Sequence, residues 1–222
     1  MTADLSGKLT VGTRRIRLTT NLQIYWDSIL VSRTAQGRSD WSGGPTTVLS
    51  PGQGGRASIS VVPTARASLS FHGFPLKIED SPPGNVKYVY EKASATGPYT
   101  RPAGAYTRYG DVLPLLAAVD DKLVVFGSGD EVALDFDPAN LPALPVGWVR
   151  DYFFVANGYE KDMDFYAYRG DSVEPLPFGE MHGYPYPGQA FPDDAEHLEY
   201  LLEYNARFMS GNEAAGYSFQ YP

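Results

Sequence analysis

Cysteine is missing from all 222 residues. Its absence excludes disulfides, thiolate metal centres, iron–sulfur clusters and cysteine nucleophiles together. Basic charge is scarce: 18 Lys and Arg stand against 26 Asp and Glu, giving a net charge of −8 and a pI of about 4.8. The basic residues are scattered, with only Arg14 and Arg15 adjoining, so the basic face that nucleic acid requires is lacking. An acidic surface suits a solvated exported domain, or one that attracts cations. No run approaches the ~18 apolar residues that would span a membrane. No charged-then-apolar segment opens the chain, and no Asn-x-Ser/Thr sequon occurs. Histidine is limited to His72, His182 and His197. None sits in HExxH spacing or beside a serine in a G-x-S-x-G elbow.

Turn chemistry, by contrast, is plentiful. The chain carries 23 glycines and 18 prolines without a period, which points to many turns between short strands. Apolar residues at 43% and aromatics at 14% exceed what a disordered chain contains, and the length suffices for a core without staples.

The clearest stretch runs from Asp121 to Asp137. Leu123, Val124, Val125 and Phe126 form a β-rich run, Gly127-Ser128-Gly129 breaks it, and Val132, Leu134 and Phe136 then alternate with polar or small neighbours. Two such runs around a Gly-containing loop predict a hairpin. A dinucleotide-binding turn needs a third glycine and a following helix, whereas Val132 opens a period-2 pattern. Arg56 to His72 predicts a second hairpin, turning at Pro63-Thr64. Arg14 to Thr20 reads as a strand. Leu22 to Arg33 exceeds the usual strand of about 5–6 residues and predicts two strands, or one bent at a bulge near Asp27.

Residues 36–55 form a long Gly/Ser/Pro-rich loop. Gly73 to Ala105 carries five prolines and is expected to be loop and edge, with a short strand at Lys87 to Tyr90. Asp111 and Pro114 predict a helical turn. Trp148 to Asn157 reads as a strand, and Glu174 to Pro187 as irregular. Residues 193–209 predict the one C-terminal α-helix, opened by an Asp193/Glu196 capping box, with Leu198, Leu201, Leu202, Asn205 and Phe208 on its apolar face. The inventory is mainly β: an antiparallel β-sandwich, Ig-like or jelly-roll-like, spanning residues 1–222 as a single domain.

Candidate sites are few. Trp41, Tyr184 and Tyr186 are the aromatics placed to meet a ligand, either a glycan ring or a protein. The alternative for each is packing within the domain. Glu160, Asp162 and Asp164 offer oxygens that suit Ca2+, although the glycine and distal glutamate of an EF-hand loop are missing. The other paired carboxylates, Asp130-Glu131 among them, read mostly as solvated turn residues. Arg169-Gly170-Asp171 is a triplet short enough to arise by chance.

Several blocks occur together in order: RIRLTTNLQIYWDSILV, TRYGDVLPLL, DDKLVVFGSGDEVALDFD, LPALPVGWVRDYFF, VEPLPF and HGYPYP. Over Asp4 to Arg207 they resemble the C-terminal region of bacterial FG-GAP/VCBS-repeat proteins of the ASPIC/UnbV type, often fused to tetratricopeptide repeats. The resemblance implies an exported, periplasmic or extracellular setting and an accessory module that contacts a protein, a glycan or neighbouring domains. It supplies no catalytic residues. The competing expectations are a carboxylate-based enzyme, carbohydrate-active or biosynthetic, and a structural subunit of a larger assembly.

Overall fold

In a computed structural model, the described residues are 2–4, 15–19, 24–33, 60–80, 85–97, 101–137, 139, 141, 143, 152–161, 163, 167–184 and 189–210. Among these residues there are thirteen strands. They are β1 (Thr2–Asp4), β2 (Arg15–Thr19), β3 (Ile24–Arg33), β4 (Ser60–Val62), β5 (Thr64–Phe71), β6 (Phe74–Asp80), β7 (Asn85–Ser94), β8 (Gly104–Tyr106), β9 (Gly110–Asp111), β10 (Val124–Phe126), β11 (Asp130–Phe136), β12 (Phe153–Glu160) and β13 (Arg207–Met209). One α-helix, α1, covers Ala195–Tyr204, and a 3-10 turn covers Leu113–Leu115. The described residues are therefore mainly β, with open antiparallel sheets and one α-helix among them. The 36–55 loop lies outside the described residues.

One sheet runs β1-β12-β3-β10, with β4 also pairing β3; a second runs β2-β11-β5-β9. Two further ladders, β13-β8 and β6-β7, have two strands each. β3 is a single strand. Its register against β12 steps from Asn157↔Ser28 to Gly158↔Trp26 and passes over Asp27, so the irregularity falls where the strand's length requires one.

Both expected hairpins are something else. β10 pairs with β3, while β11 pairs with β2 and β5. The chain thus leaves one sheet at Phe126 and enters the other at Asp130. Likewise β4 pairs with β3 and β5 with β11, so Pro63 marks another change of sheet. The local turn is as expected in both places, but a turn does not specify which neighbour each arm takes. Burial supplies the physical reason at the first crossing. Val124, Val125 and Phe126 are all buried, so β10 is covered on both faces and shows no half-exposed alternation. β11 alternates buried Val132, Leu134 and Phe136 with half-buried Ala133 and Asp135.

One apolar cluster draws on β5 (Ala67, Leu69), β10 (Val124, Val125, Phe126), β11 (Val132, Leu134, Phe136) and β12 (Phe154, Ala156). Both sheets therefore contribute to the same core. Tyr106 and Leu115 join it, and Tyr200 closes it from the helix.

The helix differs from its sequence pattern. It ends at Tyr204, and Arg207–Met209 is strand β13. The N-cap is Asp194 rather than Asp193. Its carboxylate accepts the backbone N–H of Glu196 at 3.0 Å and of His197 at 3.2 Å, while Glu196 pairs with Lys122 at 2.6 Å. Tyr200 is the buried residue of the helix, with Leu201 packed beside it and Asn205 buried at the C-cap, whereas Leu198 is 46% and Leu202 82% exposed. Hydrogen bonding decides this rotation. The Tyr200 hydroxyl donates to Leu123 O at 2.8 Å and accepts Leu123 N at 3.1 Å and Asn205 Nδ2 at 3.1 Å. Thr107 Oγ1 extends the network, accepting Val125 N at 2.8 Å and meeting Asn205 Oδ1 at 3.1 Å. A leucine face offers none of these bonds.

Candidate functional site

The Gly127–Asp130 crossing gathers bonds from several distant parts of the chain. Gly129 adopts φ +84°, and a Cβ there would sit 2.7 Å from the Phe71 ring, so only glycine fits without displacing it. Gly129 O accepts the backbone N–H groups of His72 and Gly73 at 2.8 and 3.0 Å, which seats the turn on the end of β5. Asp130 follows, fully buried. Its carboxylate accepts four donors: Arg101 Nη2 at 3.3 Å, Tyr109 OH at 2.9 Å, Gly127 N at 3.1 Å and Arg207 Nη2 at 2.7 Å.

Both guanidinium groups are held further. Arg101 donates through Nε at 2.7 Å, and also through Nη2, to Ser128 O. It lies 5.5 Å from the ring centroids of Phe71 and Phe74. Arg207 donates to Thr107 O at 3.1 Å and covers the Tyr109 ring at 4.3 Å. Burial pushes the Tyr106 and Tyr109 phenols up, and Asp130 adds to both shifts. A carboxylate with about four acceptor positions, all taken, has no lone pair left to abstract a proton. The cluster is a structural hub. Asp130 and Glu131 are buried, which corrects their reading as solvated turn residues. The guanidinium partners of Asp130, Arg101 and Arg207, lie 29 and 77 residues away from it along the chain. The local signal was Asp130-Glu131 itself, two carboxylates between a tight glycine turn and an apolar strand.

From this hub projects the second feature, the β6–β7 arm. Pro75 lies within β6, and a proline is tolerated there because an edge strand need not donate on both sides. The expected loop over Gly73 to Ala105 is therefore in part a regular hairpin, with strand through residue 94 rather than only at Lys87 to Tyr90. Its outer ladder pairs Leu76–Asp80 with Asn85–Val89; after a register shift, its base pairs Phe74↔Ser94 and Pro75↔Ala93. Tyr90, Glu91 and Lys92 have no counterpart across the ladder and form a bulge. His72 ties that bulge down: Nε2 faces Tyr90 O at 2.9 Å, and Nδ1 faces Glu131 Oε2 at 3.2 Å. Phe74 meets Phe71 edge-on at 5.6 Å. The base is thus fastened to the hub. Further out, Leu76 is 43% and Ile78 40% exposed. They share one face of β6, opposite Val89 and Lys87.

The residues picked out in the sequence fall elsewhere. Trp41, Tyr186, Asp162 and Asp164 lie outside the described residues. Tyr184 is half-buried, with its ring edge against Tyr159 at 5.4 Å, so part of it is spent on packing. Glu160 is exposed at the end of β12. Lys161, inside the expected calcium loop, is buried and donates to Ser172 O at 2.6 Å and Glu174 O at 3.0 Å. Its ammonium thus occupies two carbonyl oxygens of the kind a hard cation seeks. Burial, with Arg169 adding, pushes the Lys161 amine down to about 8. Among the described residues, no three His, Asp or Glu side chains are grouped to hold a metal. The shifted carboxylates are Asp194 and Glu196. Both are moved downward, by bonds to His197 and to Lys122 respectively, opposite to what a general acid needs. Arg169 and Asp171 are exposed on a turn whose Gly170 is buried.

No helix among the described residues is long and apolar enough to cross a membrane. No protein-family model, curated protein or solved structure matches the chain.

Proposed function

We propose that this chain is a non-catalytic contact module, a sandwich of two antiparallel sheets that meets a protein partner through the β6–β7 arm. The sandwich reading is supported by the core cluster shared between the sheets and by the crossings at Pro63 and Gly127–Gly129. The contact reading rests on one observation. Leu76 and Ile78 are exposed side by side on a ladder that has only two strands among the described residues. Such a hairpin is marginal alone in water, and an open edge beside apolar side chains is how strand addition recruits a partner. The resemblance to the C-terminal module of ASPIC/UnbV-type proteins points the same way, to an accessory part of an exported protein in the periplasm or outside the cell. A protein suits the arm better than a glycan, because its exposed large apolar side chains, Leu76 and Ile78, are aliphatic rather than flat rings.

Photo-crosslinking in the producing cells tests this. A benzophenone side chain at position 78 is expected to give a discrete adduct that the same probe at exposed Val119 does not give. The same diffuse pattern from both positions would overturn the proposal.

A further inference from the structure

Resting on that reading of the arm, we infer that the partner is a second copy of this chain, joined β6 to β6 in antiparallel register about Ile78. The two edges of the arm are not equivalent. On β7, the bulge at Tyr90–Lys92 interrupts the run and is tied toward His72, and bulges are a known way of blunting an edge. On β6, Leu76 to Asp80 keeps one register throughout, so its outer edge is the regular one.

That edge is complementary to itself. Antiparallel pairing about Ile78 places Ile78 opposite Ile78 of the second copy and Lys77 opposite Glu79, twice by symmetry. Lys77 and Glu79 are both exposed and share a face of β6, two residues apart. The paired arms make one four-stranded ladder, β7-β6-β6-β7. The Ile78 side chains of the two copies then meet at the seam, with Leu76 and Val89 on the same face of each arm, Lys87 beside Ile78, and Leu76 opposite Asp80 of the second copy. The four-stranded ladder relieves the weakness of a two-stranded hairpin, and the arrangement is an isologous contact that closes as a dimer. Five residues of edge bury well under about 1,000 Å², so the dimer belongs to the weak class.

Sedimentation velocity on the purified chain up to about 0.5 mM covers that weak range. The wild type is expected to show a concentration-dependent monomer–dimer equilibrium. Lys77→Glu and Glu79→Lys, each checked for an unchanged circular dichroism spectrum, turn two cross-strand attractions into repulsions and are expected to weaken dimerisation about tenfold or more. An equimolar mixture of the two variants is expected to recover association, because each then presents the opposite charges. A wild type that stays monomeric throughout overturns self-pairing, as does association unaffected by either variant or a mixture that does not recover. If the position-78 adduct in cells then contains a different protein, the contact reading survives without self-pairing; if there is no adduct, both fail.

Discussion

Replacing Asp130 by alanine removes a fully buried negative charge around which two guanidinium groups are packed. The wild-type carboxylate is bonded to Arg207 at 2.7 Å and Arg101 at 3.3 Å, with Tyr109 and Gly127 completing the set. The Arg101 side chain is 8% and the Arg207 side chain 17% exposed, so neither recovers full hydration when its counter-charge goes. Breaking a buried pair by removing one member costs about 3–5 kcal/mol. Partial water access at Arg207 puts the expectation at the lower end, about 3–4 kcal/mol. For a chain of this length each kcal/mol corresponds to about 2–4 °C in Tm, so the midpoint is expected to fall by roughly 10 °C. Asp130→Asn keeps the shape and some acceptor capacity but loses the charge, and is expected to cost about 2–3 kcal/mol. The assay is urea unfolding followed by circular dichroism, with exposed Asp171→Ala as the control at under about 0.5 kcal/mol. A loss below about 1 kcal/mol for Asp130→Ala would refute the hub.

Three further outcomes follow from the same structure. Tyr200→Phe removes a buried hydroxyl with three partners and is expected to cost about 2 kcal/mol, whereas Leu202→Ser, at an 82% exposed position, is expected to change stability by under about 0.5 kcal/mol; equal losses in urea titration would reverse the helix orientation. Gly129→Ala forces a Cβ to 2.7 Å from Phe71 at φ +84° and is expected to lose about 2 kcal/mol, read as a lowered Tm. For Lys161, a folded pKa near 8 lies below the 10.5 of the free side chain, so above pH 8 the unfolded chain holds more protons. Its contribution therefore makes stability rise with pH between about 8 and 10.5, by up to ~3 kcal/mol. Comparing wild type with Lys161→Met from pH 7.5 to 9.5, below ordinary tyrosine ionisation, isolates the rise; parallel profiles would contradict it.

Strands with a one-sided pattern were legible from sequence. β11 alternates cleanly, β2 lies within the expected segment, and the length of β3 anticipated the irregularity at Asp27. Asp111 also accepts Leu113 N at 3.0 Å at the start of its turn, although the cap position itself is Val112. What sequence could not provide was pairing. Gly127–Gly129 and Pro63 announce turns, but whether a turn joins neighbours or crosses between sheets depends on the covering of β10 by distant residues. The prolines concealed β6 because its edge position makes Pro75 harmless. The expected helix face holds in part: Asn205 is buried and Leu201 packs on the core, while Leu198, Leu202 and Phe208 stay exposed because Tyr200 takes the inward place, where it meets the Leu123 backbone. The hub was hidden by separation in sequence, since Arg101 and Arg207 lie 29 and 77 residues from Asp130.

The placement of the contact edge on β6 is tested most directly by single-cysteine crosslinking, which the absence of native cysteine leaves free of background. Antiparallel pairing about Ile78 brings the two Cβ atoms at that position to about 4.5–5.5 Å, close enough for a disulfide to form after a small adjustment. The account predicts a disulfide-linked dimer from Ile78→Cys under mild oxidation, forming much faster than from Leu76→Cys or Val119→Cys. Equal, slow oxidation at all three positions would contradict it.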